Sequence, residues 1–150
     1  MHSVTKGLLA GAAGTLALDL ITYGDMLIRG RSASRLPAQV AERLADRTGA
    51  ELGDGEAEDN RAQAAGALLG YVTGLGVGAA YGLLLHGRAP LPTWVGGPLL
   101  GAAAMAGSDV PATALEVTDP TSWEPTSWVF DAVPHLVYGL TTASVYRALH

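Results

Sequence analysis

The feature that most limits how this chain can fold is the confinement of its charge. Of the 23 Lys, Arg, Asp and Glu side chains, 13 fall between Arg29 and Arg61, and residues 62–85 contain none. Charged residues make up 15% of the chain, against about 25% in an ordinary soluble domain. Because a soluble helix needs a polar face toward water, this distribution indicates a membrane protein.

Four segments are long and apolar enough to be membrane-spanning helices. They are residues 4–28, 62–85, 93–115 and 128–147, and a bilayer core requires about 20 helical residues. Within the polar segment 29–61, residues 37–47 are predicted to form a short amphipathic helix on the membrane surface, followed by an acidic linker. We therefore expect one integral membrane domain, an all-α four-helix transmembrane bundle with one interfacial helix. A soluble four-helix bundle is the alternative.

Glycines at regular spacing predict how these helices pack. Residues four apart lie along one side of a helix, and in lipid such small-residue surfaces let two backbones approach closely. The pattern predicts a compact bundle or a homo-oligomer, or a subunit of a larger membrane complex. The glycines concerned are Gly66, Gly70, Gly74, Gly78 and Gly82 in the second segment, Gly97 and Gly101 in the third, and Gly139 in the fourth.

Three ionisable residues are expected at one depth in the bilayer. At a rise of 1.5 Å per residue, Asp19, Asp109 and His135 lie about 13, 9 and 10 Å from the same membrane face. Ser108 and Tyr138 are close enough in sequence to reach the same layer. Since charged groups inside a bilayer are costly and usually functional, these residues are the candidate intramembrane site.

The chemistry of that layer has three interpretations. Buried carboxylates and imidazole titrate near cellular pH, which would suit a proton relay. Asp19, Asp109 and His135 are also competent ligands for a divalent metal. The structural alternative is that Asp109 and His135 pair with each other, or bond backbone carbonyls freed by Pro111 and Pro134.

Several function classes are excluded by composition and motifs. The absence of cysteine excludes disulfides, thiolate metal sites and cysteine nucleophiles. A net charge of −5 without a basic cluster argues against nucleic-acid binding, and no hydrolase elbow, phosphate loop or zinc-protease motif occurs. We expect a structural or accessory membrane protein without enzymatic activity or cofactor. The alternatives are a small proton- or ion-linked channel or transporter and, third, a metal-dependent membrane enzyme.

Three short stretches carry a resemblance to a known family. They are residues 7–11, which open the first segment, residues 94–101, which open the third, and residues 135–137 of the last segment, which ends at Arg147. The layout resembles the YagU-like family of small bacterial inner-membrane proteins over about half of the chain. The resemblance implies a helical, multi-pass inner-membrane protein and implies no reaction, cofactor or catalytic residue.

The orientation signals in the sequence disagree. Trp94, Trp123 and Trp128 are predicted to lie at the membrane interfaces. Four spans would leave three positive charges on the side of the termini and six arginines in the first loop, which favours a cytoplasmic first loop. The acidic, tryptophan-containing loop 116–127 favours the opposite arrangement, and we expect cytoplasmic termini.

Overall fold

The computed structural model describes residues 1–150, which form five α-helices and no β-strand. The all-helical prediction is confirmed. A short 3₁₀ turn, Pro120–Ser122, precedes the last helix. The helices are α1 Ser3–Arg29, α2 Leu36–Thr48, α3 Glu56–Leu84, α4 Thr93–Ala114 and α5 Pro125–Ala148.

Local sequence explains where the first helices begin and end. Gly30 and Gly49 end α1 and α2 with φ of 65° and 71°, in the left-handed region that glycine adopts without strain. Pro37 lies in the first turn of α2, where its missing N–H costs nothing. The start of α3 differs from the prediction. The helix begins at Glu56, whereas the second segment was predicted to begin at residue 62, after an acidic linker. Acidic side chains in the first turn stabilise this start of α3, because they lie at the positive end of the helix dipole.

The four long helices are arranged around a common axis. α1 packs closely on α3 and on α5, and α4 packs closely on α5 and more loosely on α3, whereas α1 and α4 hardly touch. α1 and α4 therefore lie diagonally across the bundle. The short α2 packs along α3, burying Ala41 and Ala45.

Both termini lie at the same end of the bundle as the α3–α4 loop. Ser3 Oγ is 3.2 Å from Nδ1 of His86 in that loop. Lys6 Nζ donates to the backbone oxygen of His150 at 3.5 Å. We call this end the terminal end and the opposite one, with the α1–α2 and α4–α5 connections, the loop end.

The residues inside the bundle are unusually small. Only 25 of the 150 residues are buried; eleven are glycine and seven are alanine, and the only large aliphatic ones are Leu100 and Leu115. Large apolar side chains point outward instead, as Leu27 and Ile28 do with 85% exposure each. The distribution is the reverse of a soluble core, in which Leu, Ile, Val and Phe are the common buried types.

Two helices, α1 and α3, are long and apolar enough to cross a membrane. α4 and α5 also have sufficient length, but their hydropathy falls below that level. Pro98 and Pro111 lie within α4, and Pro134 lies within α5. The expected four-span arrangement is thus only partly supported by hydropathy.

Glycine contacts form the α1–α3 seam, defined here by Gly7, Gly11, Gly74, Gly78 and Gly82. A Cβ added at Gly11 would lie 2.6 Å from the Gly74 carbonyl oxygen, and one added at Gly78 would lie 2.7 Å from the Cα of Gly11. Such distances leave no room for any side chain. The two backbones are therefore in direct contact.

The α4–α5 seam, defined by Gly97, Gly101 and Gly139, is built in the same way. A Cβ added at Gly101 would lie 2.7 Å from the His135 carbonyl oxygen, and one at Gly139 would lie 2.9 Å from the Cα of Gly101. Two glycines of the predicted pattern have other surroundings. Gly66 packs on the Pro37 backbone of α2, and Gly70 faces open space.

Candidate functional site

Three ionisable side chains meet between α4 and α5 near the loop end, and we call them the polar cluster: Asp109, Asp131 and His135. Nδ1 of His135 lies 2.8 Å from the backbone oxygen of Asp131 and 3.4 Å from its Oδ1. The side chains of His135 and Asp131 are 16% and 25% exposed. Half-buried Asp109 interacts with both residues from α4.

One carboxylate oxygen of the polar cluster lacks a hydrogen-bond donor. Oδ2 of Asp131 is buried and has no hydrogen-bond partner, although the Asp109 carboxyl is its neighbour. Ionised carboxylates only accept hydrogen bonds, so a bond between two of them requires a proton. The arrangement can therefore hold a proton between Asp109 and Asp131, with the His135 imidazole as an adjacent acceptor or donor.

Asp19 does not join this cluster. Its Oδ2 accepts a hydrogen bond from the Tyr71 hydroxyl at 3.2 Å, on the side of α1 that faces α3. Helix α1 lies across the bundle from α4, which carries Asp109. The three residues placed at one depth by the sequence are thus divided, and Asp131 takes the place expected for Asp19.

The remaining two candidate residues have different roles. Ser108 Oγ donates to the backbone oxygen of Met105 at 2.9 Å, within its own helix, and it neighbours Asp109. The Tyr138 hydroxyl donates across the bundle to the Gly74 carbonyl oxygen at 2.6 Å. Tyr138 therefore joins α5 to α3 instead of completing the polar cluster.

No group of three or more His, Asp or Glu side chains is arranged to hold a metal ion. The ligand set predicted for a divalent metal, Asp19, Asp109 and His135, is not assembled, because Asp19 is bonded to Tyr71. A metal at the remaining residues stays a prediction.

Buried hydroxyl groups continue from the polar cluster toward the terminal end. Tyr138, Thr142 and Tyr146 follow at four-residue intervals on α5, and all three are at most 1% exposed. Tyr81 of α3 packs edge-on against Tyr146, with ring centroids 5.0 Å apart. We call these four residues the hydroxyl row.

Three of the four groups in the hydroxyl row have no hydrogen-bond partner, namely those of Tyr81, Thr142 and Tyr146. A buried hydroxyl without a partner costs about 1–3 kcal/mol. Native structures contain few such groups, so three in adjacent positions need an explanation.

The loop end of the bundle also carries charged residues with partners. Arg29 and Arg31 both pair with Asp25, and their guanidinium groups lie 4.6 and 5.6 Å from the ring centre of Phe130. In the α4–α5 loop, hydrogen bonds from Thr121 hold the pKa of the Asp119 carboxyl below its usual value. These groups close the loop end with paired charges.

The sequence-based prediction of the site did not include Asp131. Its spacing of four residues from His135 was the available signal, since residues at that spacing contact each other on a helix. Tyr146 and Tyr81 were not identified either. The contact between their rings depends on the tertiary arrangement of α3 and α5, which residue spacing along one helix does not give.

Comparisons with known proteins do not identify this chain. No protein-family model matches it, and neither a curated protein nor a solved structure gives a match. The function must therefore be argued from the fold and the two polar regions.

Proposed function

We propose that α1, α3, α4 and α5 all cross a lipid bilayer and that α2 lies at its surface. The observation that carries this proposal is the reversed distribution of residue sizes, with glycine and alanine inside and large aliphatic side chains outside. In lipid, apolar side chains gain nothing by turning inward, and helices associate through close backbone packing. In water, the same exposed surface would lead to aggregation.

The lower hydropathy of α4 and α5 is compatible with this arrangement. Their polar groups, His135 and Tyr138 among them, point into the bundle, and their glycine surfaces are covered by neighbouring helices. Polar side chains in spanning helices normally face the interior. We infer that these two helices insert together with α1 and α3.

The positions of the tryptophans also support a location in a membrane. Trp94 is 78% exposed at the terminal end, whereas Trp123 and Trp128 contact each other at the loop end with ring centroids 4.9 Å apart. Tryptophans at both ends are typical of the two membrane interfaces. A bacterial inner membrane, cytoplasmic termini and kinship with YagU-like proteins complete the proposal.

The primary role that we propose is structural or accessory, as a non-enzymatic bundle that associates with a second copy or with a membrane complex. Gly76 and Ala80 are exposed on α3, four residues apart, and no heavy atom lies within 4 Å of a Cβ placed at Gly76. Two small residues at this spacing on a lipid-facing surface favour helix association.

The association can be tested by measuring the mass of the purified protein in detergent by light scattering. We expect Gly76→Leu to lower the mass to that of a monomer while the helical content stays the same. Ala67→Leu, on another exposed face of α3, is the matched control and should leave the mass unchanged. A monomeric wild-type protein would contradict the association.

Proton transfer is the second candidate function, and the polar cluster is the observation that favours it. Purified protein in liposomes, with an internal pH-sensitive dye and an imposed membrane potential, would reveal proton flux. We expect flux in the wild type and its loss in Asp109→Asn and His135→Ala. Flux that is absent, or unchanged in both variants, would remove this candidate.

A further inference from the structure

We propose that ordered water molecules bind along the hydroxyl row and connect the polar cluster to the terminal end of the bundle. The ligand is water, and the site is formed by Tyr138 and Thr142 in the middle and by Tyr146 and Tyr81 toward the terminal end. This inference rests on the second candidate function, because it supplies the route by which protons would reach the cluster.

The first argument is the position of the row along α5. Six of the hydrogen-bonding side chains from Asp131 to His150 follow one another at intervals of three or four residues: Asp131, His135, Tyr138, Thr142, Tyr146 and His150. Such spacing keeps them on one side of the helix. At 1.5 Å per residue they extend over about 28 Å, close to the roughly 30 Å of a bilayer core.

The second argument is that most of these hydroxyls are unpartnered. Thr142 Oγ1 lies against the backbone of α1 at Gly14 and, like the Tyr81 and Tyr146 hydroxyls, has no hydrogen-bond partner. All of these side chains are more than nine-tenths buried. Buried waters typically bind such groups and supply about three hydrogen bonds each.

The third argument is that polar groups are available at both ends of the row. Near Tyr81 lies the backbone of Leu91, whose carbonyl oxygen accepts a hydrogen bond from Arg147 at 3.2 Å. Gly96 adds no side chain beside the Tyr81 hydroxyl, since a Cβ there would lie 3.0 Å from it. Tyr146 is followed by exposed His150, with ring centroids 6.2 Å apart, so the row ends in solvent.

The choice of residue types supports the same conclusion. The chain has five tyrosines and one phenylalanine, although phenylalanine would fill the same space without an unsatisfied hydroxyl. Thr15, by contrast, donates to the Gly11 carbonyl oxygen at 2.9 Å within its own helix. A threonine in a helix can therefore donate its hydroxyl to a carbonyl oxygen of its own helix. Thr142 makes no such hydrogen bond.

Radiolytic footprinting of the protein in liposomes tests the proposal without depending on proton flux. Hydroxyl radicals formed from bound water oxidise the side chains next to it. We expect oxidation of Tyr81 and Tyr146 despite their burial, and none of lipid-facing Leu20 or Val72. Met1 and His150 serve as exposed positive controls; their oxidation with both tyrosines unmodified would overturn the proposal.

Two shape-conserving variants test what the water does. We expect Thr142→Val to reduce oxidation of Tyr81 and Tyr146 several-fold and to reduce proton flux. Thr141→Val, the same change at the adjacent residue, is the matched control and should alter neither. If Asp109→Asn abolishes proton flux but Thr142→Val leaves it undiminished, protons do not travel along the hydroxyl row, although the polar cluster still takes part in their transfer. Oxidation of the row without wild-type flux would retain the water site and overturn its role in proton transfer.

Discussion

The α1–α3 and α4–α5 seams are packed in the same way but differ in the polar groups beside them. In both seams glycines bring two backbones into direct contact. On α1, Thr15 and Asp19 beside the first seam have partners, since Thr15 donates to Gly11 and Asp19 accepts from Tyr71. On α5, which forms one side of the second seam, Asp131, Thr142 and Tyr146 contain buried polar atoms without partners.

The different polar content of the two seams distinguishes the contacts that stabilise the bundle from the residues that we propose are functional. Glycine contacts suffice for association, as the α1–α3 seam demonstrates. Unsatisfied polar groups weaken a helix interface, so packing alone does not account for their presence on α5. We therefore assign stability mainly to the glycines, and the polar face of α5 is where the second proposed function, proton transfer, would take place.

The largest expected effect is on the packing that the two seams share. Gly78→Ala should lower the free energy of unfolding by about 1–3 kcal/mol, because its Cβ would overlap the backbone of α1. Gly70→Ala should raise it by up to about 1 kcal/mol, because Gly70 faces open space and alanine favours the helix. Denaturation in detergent micelles measures both, and equal effects would contradict the assigned seam.

A smaller effect should distinguish the polar groups of the two seams. Asp131→Asn supplies an amide donor beside Asp109, so we expect it to stabilise the fold by about 0.5–1.5 kcal/mol and to abolish proton flux. Asp19→Asn, the matched change at the other seam, keeps an acceptor for Tyr71 and should change neither quantity. Destabilisation by Asp131→Asn with flux intact would mean that the cluster is structural.

The bond between Tyr138 and Gly74 links the two seams, and its removal should have a modest effect. Tyr138→Phe is expected to lower the free energy of unfolding by about 0.6 kcal/mol, the average for hydrogen bonds between membrane helices. Tyr71→Phe loses a bond that is exposed rather than buried and should have the smaller effect. The reverse order would show that burial does not distinguish these bonds.

The smallest effect concerns the loop that joins α4 to α5. Because Thr121 lowers the pKa of Asp119, the ionised carboxylate stabilises the 3₁₀ turn above the ordinary Asp pKa. That stabilisation is lost as the pH falls through the lowered value. NMR titration should give Asp119 a pKa below the ordinary Asp value, and Thr121→Ala should raise it. A pKa of Asp119 that Thr121→Ala leaves unchanged would refute the capping role.

Much of the helical framework could be predicted from the sequence, because charge distribution and spacing are properties of single helices. The predicted segments at 4–28 and 93–115 agree closely with α1 and α4. The glycine spacing likewise located most of the seam residues. Gly66 and Gly70 show the limit of that reasoning, since the spacing defines one side of α3 but not which neighbour covers each position.

The candidate site was less predictable because it depends on how helices are placed around the axis. Equal depth put Asp19 with Asp109 and His135, but α1 lies diagonally across from α4. Asp131 belongs to the cluster because α5 lies next to α4. Depth is available from a count of residues, whereas the lateral arrangement requires tertiary contacts.

The number of membrane crossings is the central claim, and single-cysteine labelling tests it most directly because the chain has no native cysteine. Ala33→Cys, Ala89→Cys and Ser122→Cys place one exposed thiol in each connection between the long helices. With a membrane-impermeant maleimide on sealed vesicles, four crossings predict that residues 33 and 122 react from one side and residue 89 from the other. Labelling of residues 89 and 122 from the same side would contradict the account, because only α1 and α3 would then cross the membrane.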